Sequence, residues 1–248
     1  MNMKDQKIAL ITGANRGIGF ETAKQLGEQG VTVILTARSL DVANDSANKL
    51  KQLGIDAYGA KLEVTSADDR AALAKYVEEK FGRLDILVNN AGVAPKRSLF
   101  EKITSATDEE EFEYVFQTNF FSVVYVTNAL LPLLKKSSAG RIVNLSSILG
   151  SLTLHAETDS PIKDIKVLSY DASKAALNMF TNHLAIELEG TGIKVNSAHP
   201  GWVKTELGGT DVAPMEIVDG AKTSVELALA GEDGPNGRFI HLGEELPW

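Results

Sequence analysis

Short runs of aliphatic and β-branched residues alternate with longer amphipathic stretches along almost the whole chain. The amphipathic stretches predict helices at 17–29, 40–53, 66–81, 108–136 with a break, 170–188 and 214–230. The short runs predict strands at 8–12, 31–36, 56–63, 84–89, 141–146, 194–198 and 238–242. Strands that are apolar on both faces and separated by helices indicate crossover connections. The pattern therefore predicts an α/β fold, a doubly wound seven-stranded parallel sheet with helices on both faces.

The same pattern runs from one end of the chain to the other, and no stretch has the composition of a linker. We therefore expect residues 1–248 to form a single domain. Two segments depart from the pattern. Residues 151–168 are polar and fit neither the helical nor the strand periodicity, which indicates a surface insertion. Residues 203–214 are rich in glycine and follow a strand, so they are expected to form a substrate loop.

Composition narrows the class of protein. With 25 basic and 33 acidic residues the net charge is −8, which argues against a nucleic-acid partner. The chain has no cysteine, which excludes disulfides and thiol chemistry, and its four histidines are scattered, so no metal site is predicted. Neither a signal peptide nor an apolar stretch of about 20 residues is evident, so we expect a cytoplasmic protein without a membrane partner.

A glycine-rich loop follows the first predicted strand, with glycines at Gly13, Gly17 and Gly19. The spacing matches neither G-x-G-x-x-G nor a P-loop. Glycines at such a turn still let the backbone approach a pyrophosphate, and the next helix directs its N-terminal amides at the anion. The loop, including Asn15, Arg16 and Ile18, is therefore predicted to bind a dinucleotide, although a plain turn between strand and helix would look similar.

The second predicted strand indicates which nicotinamide cofactor is bound. An acidic residue at its end would accept hydrogen bonds from an unphosphorylated adenosine ribose. Arg38 stands there instead, and with Arg16 it could bind a 2′-phosphate through charge-assisted hydrogen bonds. We therefore predict NADP(H) rather than NAD(H), unless both arginines merely face solvent.

Tyr170 and Lys174 stand four positions apart at the start of a predicted helix, hence on one face of it. Such a pair is usually an ordinary surface contact. Ser147 changes that assessment, because it follows the predicted strand at 141–146 and can therefore reach the carboxyl edge of the sheet.

Taken together, these motifs resemble the classical short-chain dehydrogenase/reductase family over nearly the whole chain. The resemblance rests on the glycine loop, Asn89-Asn90-Ala91-Gly92, Asn119, Ser147, Tyr170 with Lys174, and Pro200-Gly201 followed by Thr205. The segments "HPGWVKTEL" and "GRFIHLGEELPW" are most similar to the carbonyl reductase branch of that family.

The resemblance implies a role for each catalytic residue. Tyr170 would protonate the carbonyl oxygen as hydride arrives, and Ser147 would hydrogen-bond that oxygen. Lys174 would lower the pKa of the tyrosine and bind the nicotinamide ribose. Asn119 would hold a water that relays protons to Lys174.

The resemblance also implies further contacts. Asn90, Ala91 and Gly92 would lie against the adenosine ribose, with Asn89 steadying the sheet, and Glu63 and Val64 would lie near the adenine. Pro200, Gly201, Val203 and Thr205 would contact the nicotinamide. An apolar substrate pocket is expected from Val93, Ile148, Leu149, His155 and Trp202. A substrate that carries a carboxylate group also stays possible, because the chain has basic residues in these segments at Lys96, Arg97 and Lys204.

The favoured interpretation is an NADPH-dependent carbonyl reductase acting on small ketones or aldehydes. One alternative is an alcohol or steroid dehydrogenase that works mainly in the oxidative direction, and another is an NADP(H)-binding sensor without catalysis. A serine hydrolase is disfavoured, because no Gly-x-Ser-x-Gly elbow is present. Ser147 and Tyr170 are more widely spaced than in most classical members. In the carbonyl reductase branch the extra segment covers a surface used for tetramer assembly, so a monomer and a homo-oligomer both stay open.

Overall fold

The computed structural model describes residues 6–95 and 104–248. Its strands form one sheet with the spatial order β3-β2-β1-β4-β5-β6-β7-β8. All neighbouring strands run parallel except β7 and β8. The strands are β1 (Ile8–Ile11), β2 (Thr32–Ala37), β3 (Ala57–Lys61), β4 (Ile86–Asn89), β5 (Arg141–Leu145), β6 (Lys194–Ala198), β7 (Phe239–His241) and β8 (Glu244–Glu245).

Helices cover both faces of this sheet, so the predicted doubly wound α/β fold is confirmed. They are α1 (Gly17–Glu28), α2 (Leu40–Gln52), α3 (Ala67–Phe81), α4 (Glu109–Phe116), α5 (Ser122–Leu134), α6 (Leu152–Ala156), α7 (Leu168–Glu187), α8 (Ile217–Gly220) and α9 (Lys222–Leu229). Side chains of β1 alternate between two cores: Ile8 and Leu10 pack with α3, α5 and α7, whereas Ala9 and Ile11 pack with α1, α2 and α9.

The strand order reverses beside β1. From β1 the chain proceeds outward to β2 and β3, and then returns to form β4 on the other side of β1. Ligands of such sheets bind in the crevice outside the carboxyl ends of the strands at this switch point. The loops after β1, β4, β5 and β6 all open onto that edge.

The seven predicted parallel strands are present, and the sheet gains one short antiparallel strand, β8, at its end. The strand predicted at 238–242 ends at His241, and Leu242 (φ 46°) and Gly243 (φ 83°) form a two-residue turn that leads back into β8. Positive φ at both central residues is the geometry of a tight hairpin turn. Leucine rarely adopts it, and the Asn-Gly or Asp-Gly pair that usually marks such a turn is absent.

Two of the predicted helices are interrupted. The break expected within 108–136 is a π-helical segment, Gln117–Phe121, that separates α4 from α5. The helix predicted from 214 starts later and is split into α8 and α9. Backbone bonding explains the late start, because Met215 N–H donates to Trp202 O (3.1 Å) and Met215 O accepts from Lys204 N–H (2.9 Å). These bonds hold Met215 in a β-bridge opposite Val203.

The segment 151–168, expected to be a surface insertion, is partly embedded in the protein. It opens with α6, whose first turn is capped by the Ser151 hydroxyl accepting from Leu154 N–H (3.1 Å). Farther on, Ser160, Ile162 and Val167 are buried. The apolar periodicity is weak because buried residues are spread over turns rather than along one helix face.

The apolar stretch near 120–134 forms α5, which is a core helix. Val126, Leu130 and Leu134 are buried against β-strand residues of the sheet. Within residues 6–95 and 104–248, no helix has both the length and the apolar character needed to cross a membrane.

Candidate active site

The glycine loop connects β1 to α1 at the carboxyl edge of the sheet. Gly13 (φ 60°) and Gly17 (φ 58°) occupy the left-handed region, which glycine adopts without steric cost. α1 begins at Gly17, and Arg16 in the preceding position has extended backbone and makes no side-chain cap. The first amides of α1 are therefore left without a side-chain cap, as an anion-binding helix N-terminus requires.

Gly19 is required for a different reason, which is close packing. A Cβ at this position would lie 2.4 Å from Asn90 Nδ2 and 2.8 Å from Gly13 O. The Asn90 amide itself donates to Thr12 O (2.8 Å) and Gly13 O (3.1 Å), while Thr12 Oγ1 accepts from the backbone N–H of Asn90 and of Ala91 (2.9 Å each). The Asn-Asn-Ala-Gly segment thus holds the glycine loop in place.

A Gly19→Ala variant is expected to lower NADPH affinity by about tenfold or more, because the added methyl group displaces Asn90 and the loop backbone. Fluorescence titration with NADPH measures the change. Gly231→Ala is the matched control, since no atom lies within 4 Å of its added Cβ. If Gly19→Ala bound NADPH as tightly as the control, the loop would not be part of the cofactor site.

The residues proposed for cofactor selectivity differ in their surroundings. Arg38 follows β2 and is exposed, and within the described part of the chain it has no ion-pair partner. Arg16, in contrast, contacts the carboxylate of Glu206 in the predicted substrate loop. Arg38 is therefore the better placed of the two for a phosphate, whereas Arg16 would first have to leave Glu206.

Glu63 and Val64 lie just beyond β3, where an adenine contact was expected. Glu63 Oε1 accepts from Thr65 Oγ1 (3.1 Å), and Val64 is buried with its carbonyl bound to Arg70 Nη1 (2.7 Å). The adenine contact stays a prediction, and the Glu63 carboxylate already has a neighbour in Thr65.

Ser147, Tyr170 and Lys174 come together at the same edge. Ser147 lies two residues beyond β5, Tyr170 in the first turn of α7, and Lys174 one turn later. The Ser147 hydroxyl lies close enough to the Tyr170 phenol to lower its pKa through hydrogen bonding. Lys174 Nζ lies 5.6 Å from the centroid of the Tyr170 ring and donates to Leu145 O (2.8 Å). Distant parts of the sequence thus form one cluster of polar groups.

Ser146 is the neighbouring serine that could have taken the place of Ser147. Its hydroxyl is buried and donates to Asn178 Oδ1 (2.7 Å) on α7, so it is used in packing. Ser147→Ala is expected to lower kcat for the predicted carbonyl reduction by about 100-fold, because the predicted donor to the developing oxyanion is lost. Ser146→Ala should retain most of the activity. Equal kcat values in the two variants would contradict the assignment of Ser147.

Burial determines the protonation states in this cluster. It raises the pKa of Tyr170 to about 12, although the hydrogen bond with Ser147 acts in the opposite direction. Burial also lowers the pKa of Lys174 to about 8, because the ammonium ion is removed from water. At neutral pH the tyrosine is therefore protonated, as a proton donor must be, and the lysine readily exchanges its proton.

The buried lysine has a cost in stability. Its pKa falls from 10.5 in water to about 8 in the folded chain, so the penalty is complete below pH 8 and fades as the pH rises to about 10.5. Lys174→Met is therefore expected to raise the free energy of unfolding at pH 7, by at most about 3 kcal/mol, while abolishing activity. Thermal melts at pH 7 and pH 10 check this. An equal difference in Tm at both pH values would refute the burial argument.

Asn119 lies in the π-helical segment and is completely buried. Its Oδ1 accepts from Val93 N–H (2.8 Å), and its Nδ2 donates to Val93 O (2.9 Å) and Ser173 Oγ (3.2 Å). The side chain therefore joins the loop after β4 to α7 beside Lys174. Its predicted role in holding a water stays a prediction.

The remaining predicted cofactor residues lie in the loop after β6, at the same carboxyl edge of the sheet. A Cβ on Gly17 would lie 3.7 Å from Thr205 Cγ2, so the loop after β6 reaches the glycine loop. Gly201 has a φ of 85° and Val203 is buried, which fixes the course of the chain after Pro200. Trp202 is 43% exposed and donates through Nε1 to Gly208 O (2.6 Å). These contacts are compatible with a wall for the nicotinamide and the substrate.

The predicted substrate pocket is only partly described. Ile148 and Leu149 lie in a 3₁₀ turn directly after Ser147, and the Val93 N–H donates to Asn119 Oδ1 (2.8 Å). Both ring nitrogens of His155 have partners within the protein, so this side chain is held rather than free. Lys96 and Arg97 lie outside the described residues. His199, which was not among the predicted site residues, accepts a hydrogen bond from Ile148 N–H in the turn that carries Ser147.

Comparison with known proteins defines the class. The family model described as short chain dehydrogenase matches residues 7–215, and the chain belongs to this family. A short-chain dehydrogenase/reductase 1 from Saponaria officinalis is 32% identical over 99% of this chain and 97% of its own length. Salutaridine reductase from Papaver bracteatum is 33% identical, covering 96% of this chain and 95% of the relative. The structure of NADPH-bound carbonyl reductase from chicken fatty liver superimposes with a TM-score of 0.83 at 29% identity, covering 98% of this chain and 99% of the other.

Proposed function

We propose that this short-chain dehydrogenase is an NADPH-dependent carbonyl reductase that converts small ketones or aldehydes to alcohols. The observation that carries the proposal is the cluster of Ser147, Tyr170 and Lys174 at the edge where the glycine loop opens, with Lys174 Nζ 5.6 Å from the centroid of the Tyr170 ring. This arrangement offers a protonated acid beside a second donor, which is what reduction of a carbonyl group requires.

The residues of the chain fit the cofactor. The left-handed glycines and the uncapped start of α1 suit a pyrophosphate, and Arg38 suits a 2′-phosphate. Gly92 leaves room near Lys174, because its added Cβ would lie 3.9 Å from Nζ. When bound, NADPH supplies the hydride. The NADPH in the similar chicken carbonyl reductase supports the same choice of cofactor for this chain.

The chain's own residues supply the proton and hold the substrate. Ser147 orients the carbonyl oxygen and stabilises the charge that develops on it. Tyr170 donates its proton to that oxygen, because burial keeps the phenol protonated at neutral pH. Lys174, with a pKa of about 8, returns a proton to the tyrosine and stabilises the phenolate while it exists. Asn119 holds the loop after β4 against this group.

The proposed substrate class and cellular compartment rest on less specific features of the chain. The residues around the site, Val93, Ile148, Leu149 and Trp202, are apolar or aromatic, which favours ketones or aldehydes without a charged anchor. The salutaridine reductase relative is also named as a reductase. The lack of cysteine fits a reducing compartment, and we propose the cytoplasm.

A panel of ketones and aldehydes, assayed in parallel with NADPH and NADH, tests the proposal. We expect at least one carbonyl compound to be reduced, and NADPH to support the faster turnover. NADPH binding without turnover of any carbonyl or alcohol would contradict catalysis and favour a sensor. Turnover confined to alcohols with NADP⁺ would favour the oxidative alternative.

A further inference from the structure

Ser147 belongs to a short turn, residues 147–150, that we call the serine turn. Leu149 N–H donates to Ser147 Oγ (3.2 Å), and Gly150 N–H donates to Ser147 O (2.8 Å). The first of these bonds acts directly on the hydroxyl that contacts Tyr170. The direction of the Ser147 hydroxyl therefore depends on where the backbone of Ile148 and Leu149 lies.

His199 holds one end of this dipeptide. Ile148 N–H donates to His199 Nδ1 (3.2 Å), and the imidazole is almost completely buried at 9% exposure. Accepting this bond requires an unprotonated Nδ1. Burial, with a smaller effect of His241, lowers the pKa of His199 to about 3, so the ring remains an acceptor at neutral pH. The His241 ring lies 4.7 Å away, and His241 Nδ1 bonds His199 O (2.9 Å).

His155 holds the other end of the dipeptide, although it lies in the segment 151–168. Its Nε2 is 2.9 Å from Leu149 O, and a carbonyl oxygen only accepts, so Nε2 carries the proton. Nδ1 is then unprotonated and accepts from Lys166 Nζ (2.8 Å). Asp171 Oδ2, one residue beyond Tyr170, lies 3.5 Å from Nε2 and also accepts from Val167 N–H (3.0 Å). Lys166 and Asp171 therefore fix the orientation of this ring.

We propose that His199 and His155 are positioning residues that hold the two ends of the Ile148–Leu149 dipeptide and thereby direct the Ser147 hydroxyl at Tyr170. One imidazole acts as acceptor for the N–H of Ile148 and the other as donor to the carbonyl of Leu149. The segment 151–168 gains a role in catalysis, because it delivers His155 to the serine turn. The inference rests on the proposed function, since it assigns the residues that orient its catalytic serine.

Two pairs of variants test the proposal. His199→Leu removes the acceptor at similar volume, whereas His199→Asn restores an oxygen near the position of Nδ1. His155→Leu removes the donor, and His155→Gln restores an amide N–H near Nε2. His183→Asn is the control, because His183 is exposed on α7 away from the serine turn. For each variant we measure kcat and KM for a ketone, the Kd for NADPH, Tm and the pH profile of kcat.

We expect both leucine variants to lose about tenfold in kcat, because a buried backbone group of the serine turn is left without its partner. Kd for NADPH should stay within about twofold, since the glycine loop is untouched. The asparagine and glutamine variants should regain most of the kcat. The Ser147 hydrogen bond lowers the pKa of Tyr170, whereas burial and the nearby Asp171 raise it. The basic limb of the reductive pH profile should therefore move to higher pH in His199→Leu and not in His199→Asn.

Several results would overturn the inference. Leucine variants with wild-type kcat would show that the serine turn does not need the two imidazoles. Equal losses in His199→Leu and His199→Asn would show that volume, rather than the acceptor, matters. If His199→Leu were too unstable to assay, wild-type kcat in His199→Asn would support the inference, and a tenfold loss there would contradict it.

Failure of the proposed function would give a different experimental result from failure of this inference. Full activity in Tyr170→Phe would remove the function and the inference together. An inactive Tyr170→Phe combined with fully active leucine variants would remove the inference alone.

Discussion

Replacing Tyr170 with phenylalanine is expected to lower kcat for the proposed NADPH-dependent carbonyl reduction by about 1,000-fold, because the proposed general acid is lost. The ring remains and only the hydroxyl is removed, so packing in the first turn of α7 is preserved. NADPH affinity should change little, since the hydroxyl lies beside Ser147 rather than in the glycine loop. Steady-state assays and NADPH titration separate these two quantities.

Tyr76→Phe provides the control for Tyr170→Phe. Tyr76 lies on α3, packed edge to face against Phe81, and loses the same hydroxyl group far from the carboxyl edge. It should keep wild-type kcat. A Tyr170→Phe enzyme that retained more than about a tenth of the wild-type kcat would require another proton donor.

The ratio of kcat/KM with NADPH to that with NADH is expected to fall by about 1,000-fold in Arg38→Asp. The change removes the proposed charge-assisted donor to the 2′-phosphate and places a like charge beside it. It also introduces an acceptor where an unphosphorylated ribose presents its hydroxyl groups, so NADH should be used better than before. The kcat for the better cofactor should remain close to the wild-type value, because the catalytic cluster is unaffected.

Arg238→Asp makes the same charge change just before β7, at the opposite edge of the sheet. Its cofactor ratio should equal that of the wild type. An unchanged ratio in Arg38→Asp would mean that Arg38 faces solvent and that NADP(H) selectivity has another origin. Arg16, whose guanidinium contacts Glu206, would be the next candidate.

The sequence predicted most of the fold because its elements are marked locally. Strands such as β1 and β2 are apolar on both faces, and the helices between them have amphipathic patterns, so periodicity alone defines the doubly wound sheet. Elements set by distant contacts were missed or misplaced. The β-bridge between Val203 and Met215 delays α8, and the Leu242-Gly243 turn that leads into β8 has an unusual composition.

For the candidate site, too, some residues could be predicted from the sequence and others could not. Ser147, Tyr170 and Lys174 were predicted because the order of the motifs along the chain resembles a known family, whereas their spacing alone would have fitted an ordinary surface contact. The structure brings them together at the carboxyl edge. The contacts of His199 with Ile148 and of Arg16 with Glu206 join residues far apart in sequence. No local pattern encodes such pairs, so they emerge only from the folded chain.

Transfer of deuterium from NADPH labelled at the reactive hydrogen of C4 tests the central claim most directly. A ketone from the active panel is incubated with labelled NADPH and either the wild-type or the Tyr170→Phe enzyme, and the alcohol is analysed by mass spectrometry. The account predicts deuterium on the carbinol carbon with the wild-type enzyme and almost no alcohol with Tyr170→Phe. Alcohol without deuterium, or equal amounts of labelled alcohol from both enzymes, would contradict it.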